Sequence, residues 1–439
     1  MLMIRGRVYG RMKKKSRAPV GGGVLLANET DGWATDFLHP VDLERVVLKT
    51  AGTSVSYGTS FFTNAGTSSK WVYNAAGVLV NVPVGSLALD YDPLTHSAKG
   101  LCSEPQATNT TRRNSEFDHA AWGKYDGHTV GNVVAAPNGL LEADAWVPET
   151  GLRTPFTNIA SDTTPTGGTF TSSLYMKNGP LGTNWVRLQV ASTGSWQVWF
   201  NLATGARGSS VGSPVNYTIT ALANGWYRVT LTFVAGQTTT NTYIVAVPTD
   251  GSSDTVTGDG VKAAFYMWNA QVEPGNTATS PIPNPTDGVV TREADQVKVT
   301  PASINYSATA GSWWVDVEFK SFVSNDFVVS NIPSGNTALF VNSTTTFGLY
   351  DGVAYILKTV PTILGSHKLA AAFASADRAV TADGLAPGID TQAGAALLSP
   401  GTGIQFGGQA TVNTPNCYIR KLRYVPRRKT NAELVTETT

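Results

Sequence analysis

One pair of carboxylates in the sequence has the residue types that glycan cleavage requires. Asp316 and Glu318 stand two positions apart, so in a β-strand both side chains project from the same side. Hydrolysis of a glycosidic bond uses two carboxyl groups roughly 5–10 Å apart around the sugar. Residues 313–320 alternate in character, however, which predicts that the two acids belong to the solvated side of an amphipathic strand. That polar side would carry Trp314, Asp316, Glu318 and Lys320.

The other patterns give no catalytic or metal-binding arrangement. Asp90 and Asp92 also share one side, but the proline that follows them favours a turn-capping role. No nucleophile elbow or phosphate-binding loop is recognisable, and the histidines show no ligand spacing. We therefore expect no catalytic residue, no metal ligand and no cofactor. Loop carboxylates at 250–254, Asp377 and Asp383 leave Ca²⁺ open as an alternative to ordinary turn chemistry. The five histidines are His39, His96, His119, His128 and His367.

Sugar binding is the activity that the aromatic residues favour. Trp196 and Trp199 stand three apart in one strand pattern, so their side chains point to opposite faces. At least one of them should therefore lie outside the core, where it could stack on a sugar ring. Trp185 and Trp226 are instead predicted to be core anchors, because large aromatics usually fill sandwich interiors.

Composition favours strands over helices. Charged residues make up only 14% of the 439 residues, against about 25% in an average soluble protein. A hydrophobic fraction of 41%, with 11 Trp, supplies ample core and argues against disorder. No apolar run is long enough for a membrane-spanning helix, so we expect no membrane insertion. Residues of high β-propensity in short segments between turn signals predict an all-β protein.

Net charge and cysteine content narrow the class further. A net charge of +1 argues against a nucleic-acid partner. Cys102 and Cys417 are the two cysteines, which is no disulfide framework; we expect two buried, unpaired thiols. Such a cysteine content fits assembly in a reducing bacterial cytoplasm.

The N-terminus is basic and lacks the apolar stretch of a secretory signal. We interpret residues 1–30 as an exposed basic arm, with docking on an acidic surface of a larger assembly as the sharper alternative. Seven residues would carry that attachment: Arg5, Arg7, Arg11, Lys13, Lys14, Lys15 and Arg17.

Turn signals divide the rest of the chain. The turn at 74–77 predicts a hairpin, and Asp351-Gly352 predicts another. A proline-rich linker at 281–285 separates two long β-rich regions, and Thr430 is placed to cap a final helical turn. The predicted segments are the arm at 1–30, a small β-rich domain at 31–113, sandwiches at 114–284 and 286–428, and a tail at 429–439.

Several stretches resemble a modular arrangement of virion proteins from tailed bacteriophages and prophages. They span about residues 87–434, and their order and spacing carry the resemblance. They are LDYDPLT and KGLCSEPQATN within 89–109, FDHAAW at 117–122, NGWYR at 224–228, FYMWNAQVEPG at 265–275, TREAD at 291–295, and IRKLRYVPRR at 419–428 with AEL at 432–434.

This resemblance implies both architecture and function. The region 114–284 is similar to a carbohydrate-binding-module sandwich, and 286–428 to a laminin-G or concanavalin-A-like sandwich. The expected fold is thus all-β, with two antiparallel jelly-roll or concanavalin-A-like sandwiches after a small β-rich attachment domain and a basic arm.

The expected protein is a non-enzymatic virion component: a tail fibre or spike, a capsid fibre or a decoration protein. Its partners would be other virion proteins and copies of itself, with a trimer expected by analogy. A lectin-like adhesin for host surface glycan is the alternative, and a polysaccharide depolymerase is a third reading.

Overall fold

The computed structural model describes residues 25–163, 166–191, 194–252, 255–332, 338–350, 355–391, 401–409 and 411–439. Regular structure in these ranges is almost entirely β, and the strands pair antiparallel. The all-β, antiparallel prediction is confirmed. Within the same ranges, no helix has the length and apolarity to cross a membrane.

The first sandwich stacks two six-stranded sheets, which we call sheets I and II. Sheet I has the order β11-β12-β23-β15-β20-β19 and sheet II the order β10-β14-β21-β16-β17-β18. The strands of sheet I are β11 (Gly127–Ala135), β12 (Leu141–Pro148), β15 (Thr169–Asn178), β19 (Asn216–Ala221), β20 (Trp226–Val234) and β23 (Phe265–Pro274). Those of sheet II are β10 (Trp122–Tyr125), β14 (Phe156–Thr163), β16 (Trp185–Ala191), β17 (Ser195–Asn201), β18 (Ala206–Val211) and β21 (Thr239–Val247).

Alternation along each strand decides which side chains fill this sandwich. In β20, Val229, Leu231 and Phe233 are buried in the core, while the residues between them face outward. In β16, Val186 and Leu188 point inward in the same way. The strands that the alternating pattern predicted between residues 169 and 272 therefore all form.

The second sandwich stacks a ten-stranded sheet III on a seven-stranded sheet IV. The strands of sheet III are β1 (Gly32–Asp36), β2 (Val46–Thr50), β3 (Thr53–Tyr57), β7 (Leu89–Tyr91), β8 (Ala98–Ser103), β26 (Ala310–Ser321), β31 (Gly365–Ala374), β32 (Asp377–Ala382), β33 (Gly388–Asp390) and β35 (Asn416–Val425). Those of sheet IV are β4 (Thr63–Asn64), β25 (Val297–Val299), β27 (Asp326–Ile332), β28 (Ala338–Ser343), β29 (Thr346–Tyr350), β30 (Tyr355–Thr359) and β34 (Gly403–Phe406). One buried cluster, which contains Trp33, Trp313 and Phe406, joins the two sheets.

Three short ladders and a few helical turns complete the described structure. The ladders pair β5 (Lys70–Tyr73) with β6 (Leu79–Val82), β9 (Ala107–Asn109) with β24 (Val290–Arg292), and β13 (Gly151–Arg153) with β22 (Val256–Gly258). The helical elements are the 3-10 turns Asp42–Glu44, Thr59–Phe61, Ala223–Gly225 and Pro301–Ile304, and helix α1 (Asn431–Thr438).

Both hairpins predicted from turn signals form. β5 and β6 pair around the turn at 74–77, where Asn74 Oδ1 accepts from the backbone N–H groups of Ala76 and Val78. β29 and β30 pair antiparallel, with Tyr350 opposite Tyr355 at the end of the ladder next to the turn. The Asp351-Gly352 dipeptide itself lies outside the described residues.

Residues 31–113 do not form the separate small domain that the turn pattern suggested. β1 pairs with β35 over Trp33↔Tyr424 to Asp36↔Lys421, and β8 also pairs with β35. The reason is core filling, because Trp33 is fully buried and stacks on Phe406 at 5.6 Å. The N-terminal strands are thus part of the second sandwich, to which residues 286–428 contribute only the remaining strands.

The predicted linker and tail are also packed rather than free. In the linker, Asn284 is fully buried and its amide donates to the carbonyls of Thr111 and Gly288. In the tail, α1 buries Leu434 against sheet III. The predicted cap is confirmed, since Thr430 Oγ1 accepts from Glu433 N at 3.2 Å and the Glu433 carboxylate accepts from Thr430 N.

The pairing of N-terminal strands with β35 leads to a first prediction. A fragment of residues 286–439 should not fold, because it lacks β1–β3, β7 and β8 and leaves the site of Trp33 empty. A fragment of residues 114–284 should fold, because it retains both sheets of the first sandwich. Circular dichroism and thermal unfolding of the two fragments check this. Cooperative unfolding of the 286–439 fragment would contradict it.

Candidate functional site

The acid pair on β26 is held by an arginine. Arg420 Nη1 lies 3.5 Å from Asp316 Oδ1, and Arg420 Nη2 pairs with Glu318. Both carboxylates therefore lie on the outward side of sheet III, as the alternation predicted. Trp314 was predicted to lie on the same solvent-facing side, but that prediction is wrong for this residue. Trp314 is buried beneath α1, and its Nε1 donates to Glu437 O at 2.9 Å.

The acids of β7 have two different roles. Asp92 caps the turn that follows it, accepting from Leu94 N and Thr95 N at 3.0 and 2.8 Å. These bonds lower the pKa of Asp92. Asp90 is buried instead, and it accepts from Tyr418 Oη at 2.6 Å and from Tyr73 N at 2.8 Å. Turn capping thus holds for Asp92, whereas Asp90 fastens β7 to β35 and β5.

Neither tryptophan proposed for sugar stacking offers an open ring. Trp196 packs against the core of the first sandwich, with its ring 5.3 Å from that of Phe233. Trp199 is on the opposite face, as the spacing predicted, but it is only 3% exposed and donates to Ser252 O. It lies with Trp185 in a layer outside sheet II. Sugar binding by Trp196 and Trp199 stays a prediction that this geometry does not favour.

The other tryptophans and loop acids also have defined positions. Trp226 is buried, but on the outward side of sheet I with Tyr175 and Trp268 and not in the sandwich interior as predicted, and Trp185 is half-buried outside the main core. Asp377 pairs with Arg428, and Asp383 pairs with the histidine at 367. Among the described side chains, no group of three His, Cys, Asp or Glu could hold a metal ion. The seven basic residues of the arm precede the first described residue.

A cleft of about 290 Å³ lies between the two sandwiches. Its floor is the outward side of β15, β19 and β20 in sheet I. Its opposite wall comes from hairpin β5–β6 and from the ends of β7, β26 and β35, and residues 276–281 form part of the rim. Only the packing of one sandwich on the other creates this space.

Threonine hydroxyls pave the floor. Thr218 and Thr230 are joined by a hydroxyl–hydroxyl bond of 2.7 Å, and Thr171 and Thr232 by one of 3.0 Å. Cross-strand threonine pairs of this kind stabilise neighbouring strands. Thr171 and Thr232 are buried, whereas the partly exposed hydroxyls of Thr218 and Thr230 present a polar surface that can donate and accept hydrogen bonds. The floor is lined by Thr171, Thr218, Thr220, Thr230, Thr232 and Asn216.

Aromatic residues and an arginine occupy the deeper part of the cleft. Trp71 of the hairpin packs edge-on against Trp268, with ring centroids 6.4 Å apart. The guanidinium of Arg228 lies 5.3 Å from the centroid of Tyr175. Burial and the neighbouring Tyr175 raise the pKa of Tyr73 well above its ordinary value, so its phenol stays protonated. The cleft therefore combines apolar rings with hydroxyl donors.

A buried ionic network, the Glu104 cluster, lies at the end of the cleft. It comprises Lys70, Glu104, Arg292, Asp295 and Lys320. Arg292 Nη1 lies 2.7 Å from the Glu104 carboxylate, and Lys70 and Lys320 lie at 3.5 and 3.6 Å. Lys70 also pairs with Asp295, whose carboxylate accepts from Glu104 N at 2.8 Å.

The surroundings of Glu104 keep it charged. Its carboxylate also accepts from the backbone and hydroxyl of Ser280, at 2.9 and 2.7 Å. Burial alone would raise the pKa of Glu104, but Arg292, Lys70 and Lys320 lower it well below the ordinary value of 4.5. The role is structural, since Glu104 is fully engaged and 1% exposed.

The neighbouring thiol is unreactive. Cys102 and Cys417 are free and buried, as predicted. Burial and the charge of Glu104 raise the pKa of Cys102 to about 12, so it remains protonated at neutral pH. The cleft is thus equipped to bind a polyhydroxylated ligand, and its acids are committed to structural partners.

The alternating sequence pattern predicted that some cleft residues share one face of β20. It could not predict that another part of the chain covers this face. The NGWYR stretch places Trp226, Arg228 and the following threonines on one side of β20. The opposite wall comes from residues more than 80 positions from β20, and no local pattern signals that approach. For Trp71, the sequence predicted only that it lies in a hairpin and not that it lines a cleft.

Comparisons with known proteins give only distant likenesses. No family model matches the chain, and no curated protein matches it. Among solved structures it is similar to a receptor binding domain, at 14% identity and TM-score 0.27, over 33% of this chain and 40% of that one. It is also similar to a Trypanosoma rangeli sialidase, at 9% identity and TM-score 0.26, over 66% of this chain and 53% of that one. Domains LG4-5 of the mouse laminin alpha1 chain align at 13% identity and TM-score 0.19, over 61% of this chain and 85% of theirs.

The chain spans less than two thirds of the length of the first two of these structures. At such identities and TM-scores, the likenesses carry no argument about what this chain does. The functional argument therefore depends on its own residues.

The Glu104 cluster yields a second expectation. Glu104→Gln should destabilise the protein by about 3–5 kcal/mol, because it leaves Arg292 and Lys70 buried without their shared counter-charge. Urea denaturation at pH 7 measures the loss. Asp287→Asn, which breaks the exposed pair with Arg113, is the control and should change little, since water screens that pair.

Acid titration of the same variants sharpens the test. The folded-state pKa of Glu104 is depressed, so its stabilisation is fully present above about pH 4.5 and is lost as the pH falls through the folded pKa. The difference between wild type and Glu104→Gln should therefore shrink below pH 4.5. A difference that stays constant down to pH 3 would show that charge is not the cause.

Proposed function

We propose that this chain is a non-enzymatic structural protein of a tailed-phage particle whose fused sandwiches present a glycan-binding cleft. The cleft between the sandwiches is the observation that carries the binding part. Its hydroxyl-lined floor can read sugar hydroxyls, and Trp71 supplies a ring for stacking. Binding without turnover follows because Asp90, Asp92 and Glu104 have structural partners.

The virion assignment is supported by where the phage-like motifs lie. Glu104 belongs to the KGLCSEPQATN stretch, and Arg292 and Asp295 belong to TREAD. These motifs meet in the Glu104 cluster and in the β9–β24 ladder. The resemblance therefore covers the residues that join the two sandwiches, which is the property a family of rigid projecting proteins would share.

Attachment would use the opposite end of sheet III. Leu25, where the described chain begins, packs beside α1, and its carbonyl accepts from Arg423. On β26, Trp314 beneath α1 is six residues from Lys320 in the cleft, a span of about 20 Å. A particle bound through residues 1–24 would leave the cleft facing away.

Particle labelling tests the virion part. An antibody to this chain should decorate phage particles in negative-stain images. Deletion of residues 1–24 should remove the label while the purified protein keeps its thermal unfolding profile, because the described core clusters of both sandwiches are retained. Particles that lack the protein, or that incorporate the shortened chain equally well, would contradict the respective halves of the proposal.

Glycan binding tests the cleft. We expect host surface saccharides found on a glycan array to bind in calorimetry, with no release of reducing ends. Trp71→Ala should weaken binding about tenfold, roughly 1.4 kcal/mol. Tyr125→Ala, which removes an exposed ring 4.5 Å from Phe156 on sheet II, is the matched control. Loss of binding in Tyr125→Ala alone would place the site on sheet II, and release of reducing ends would establish a depolymerase.

A further inference from the structure

Arg228 is a half-buried cation in the cleft without a carboxylate partner among the described side chains. Its Nη2 donates to Ser173 Oγ at 3.1 Å, and its guanidinium lies against the ring of Tyr175. Its Nε is buried and has no hydrogen-bond partner. A buried guanidinium nitrogen without a partner carries a desolvation cost, and an anion bound to the guanidinium from the cleft would offset part of it through charge attraction.

The other two cations that line the cleft are already paired. Lys99 lies 3.7 Å from Asp92. Lys320 lies 3.6 Å from Glu104, and its ammonium sits 4.3 Å from the centroid of Tyr418. Among the described cations that line the cleft, Arg228 is thus the one that forms no ion pair with a carboxylate. Its charge can therefore pair with a ligand.

The acid of sheet I that acts on Arg228 forms no ion pair with it. Glu273 lies two strands away on β23, and its carboxylate accepts from Thr279 N at 2.9 Å and from the Thr279 hydroxyl. Burial raises the pKa of Glu273, which weakens it further as a counter-ion at acid pH. Burial lowers the pKa of Arg228, but Tyr175 and Glu273 raise it above the ordinary value, so the guanidinium stays charged.

We infer that the cleft recognises a sugar bearing a carboxylate, with Arg228 pairing with that carboxylate. This inference rests on the proposed glycan-binding function. A guanidinium presents two parallel N–H donors that match the two oxygens of a carboxylate. The neighbouring hydroxyls of Thr218 and Thr230 would then meet the ring hydroxyls, and Trp71 would meet a ring face.

The size of the cleft agrees with a short saccharide. Sites for small molecules commonly measure about 300–1,000 Å³. At about 290 Å³, the cleft suits one or two sugar rings rather than a long enclosed chain. A polymer would therefore be held by a terminal or protruding acidic residue.

Calorimetry with methyl glucuronide, methyl glucoside and its 6-sulfate tests the inference on the full chain. The wild type should bind the glucuronide about 10- to 100-fold more tightly than the neutral glucoside, the range expected for hydrogen bonds between charged groups. Arg228→Met should abolish that preference. Arg207→Met is the matched control, because Arg207 also lies over a tyrosine, at 4.7 Å from Tyr217, but outside the cleft.

The outcomes separate the inference from the function on which it rests. Equal binding of glucuronide and glucoside by the wild type would overturn the acidic-sugar inference and leave a glycan-binding cleft. Preference for the sulfate over the glucuronide would overturn the carboxylate assignment. Binding of none of the probes, nor of any array saccharide, would overturn both. If Arg228→Met fails to fold, Arg228→Lys replaces it and should retain charge attraction but lose most of the bidentate preference.

Discussion

The arrangement of the two sandwiches depends on the charges buried between them. Lys70, Glu104, Lys320 and the pair Arg292 and Asp295 come from four separate stretches of chain and meet in one largely buried cluster. A buried network of this kind is a weak source of stability, because desolvation offsets much of the attraction. Its effect is on geometry, since Glu104 ties β5, β24 and the end of β26 together and also holds Ser280, which follows β23 of the first sandwich. The walls of the cleft are fixed by the same constraint.

The order in which the chain forms the sheets also helps to fix the relative position of the two sandwiches. Within the described residues, the chain runs through sheet III and β4 of sheet IV, then builds the first sandwich, and then completes sheets III and IV. The first sandwich is therefore an insertion whose two ends are held together at the β9–β24 ladder. Both connections between the two sandwiches pass through the β9–β24 ladder. The Glu104 cluster therefore needs to resist only rotation of one sandwich against the other about that ladder. Asn109 adds to this, since its amide donates to Ile282 O and its carbonyl accepts from Val272 N.

Local patterns were sufficient for the strands and insufficient for their partners. Alternation predicted β16, β20 and β26, and the Thr430 cap was readable because its partner is three residues away. The pairing of β1 with β35 joins residues nearly 400 positions apart, and no periodicity encodes it. The same limit explains Trp199. The spacing predicted that Trp196 and Trp199 point to opposite faces, but not that Trp185 and the loop at Ser252 cover the outer one.

The low charge content bears directly on the cleft. In a chain with 14% charged residues, each unpaired charge near the interior stands out, because few others are available to screen it. The acids around the cleft have structural hydrogen bonds or ion pairs, and so do Lys99 and Lys320. Arg228 differs from them in lying on a surface that is built from neutral hydroxyls and rings. Its hydrogen bond to Ser173 and its contact with Tyr175 hold the side chain in place, but neither contact supplies a counter-charge. A carboxylate on a bound sugar would supply one, and the inferred ligand follows from that difference.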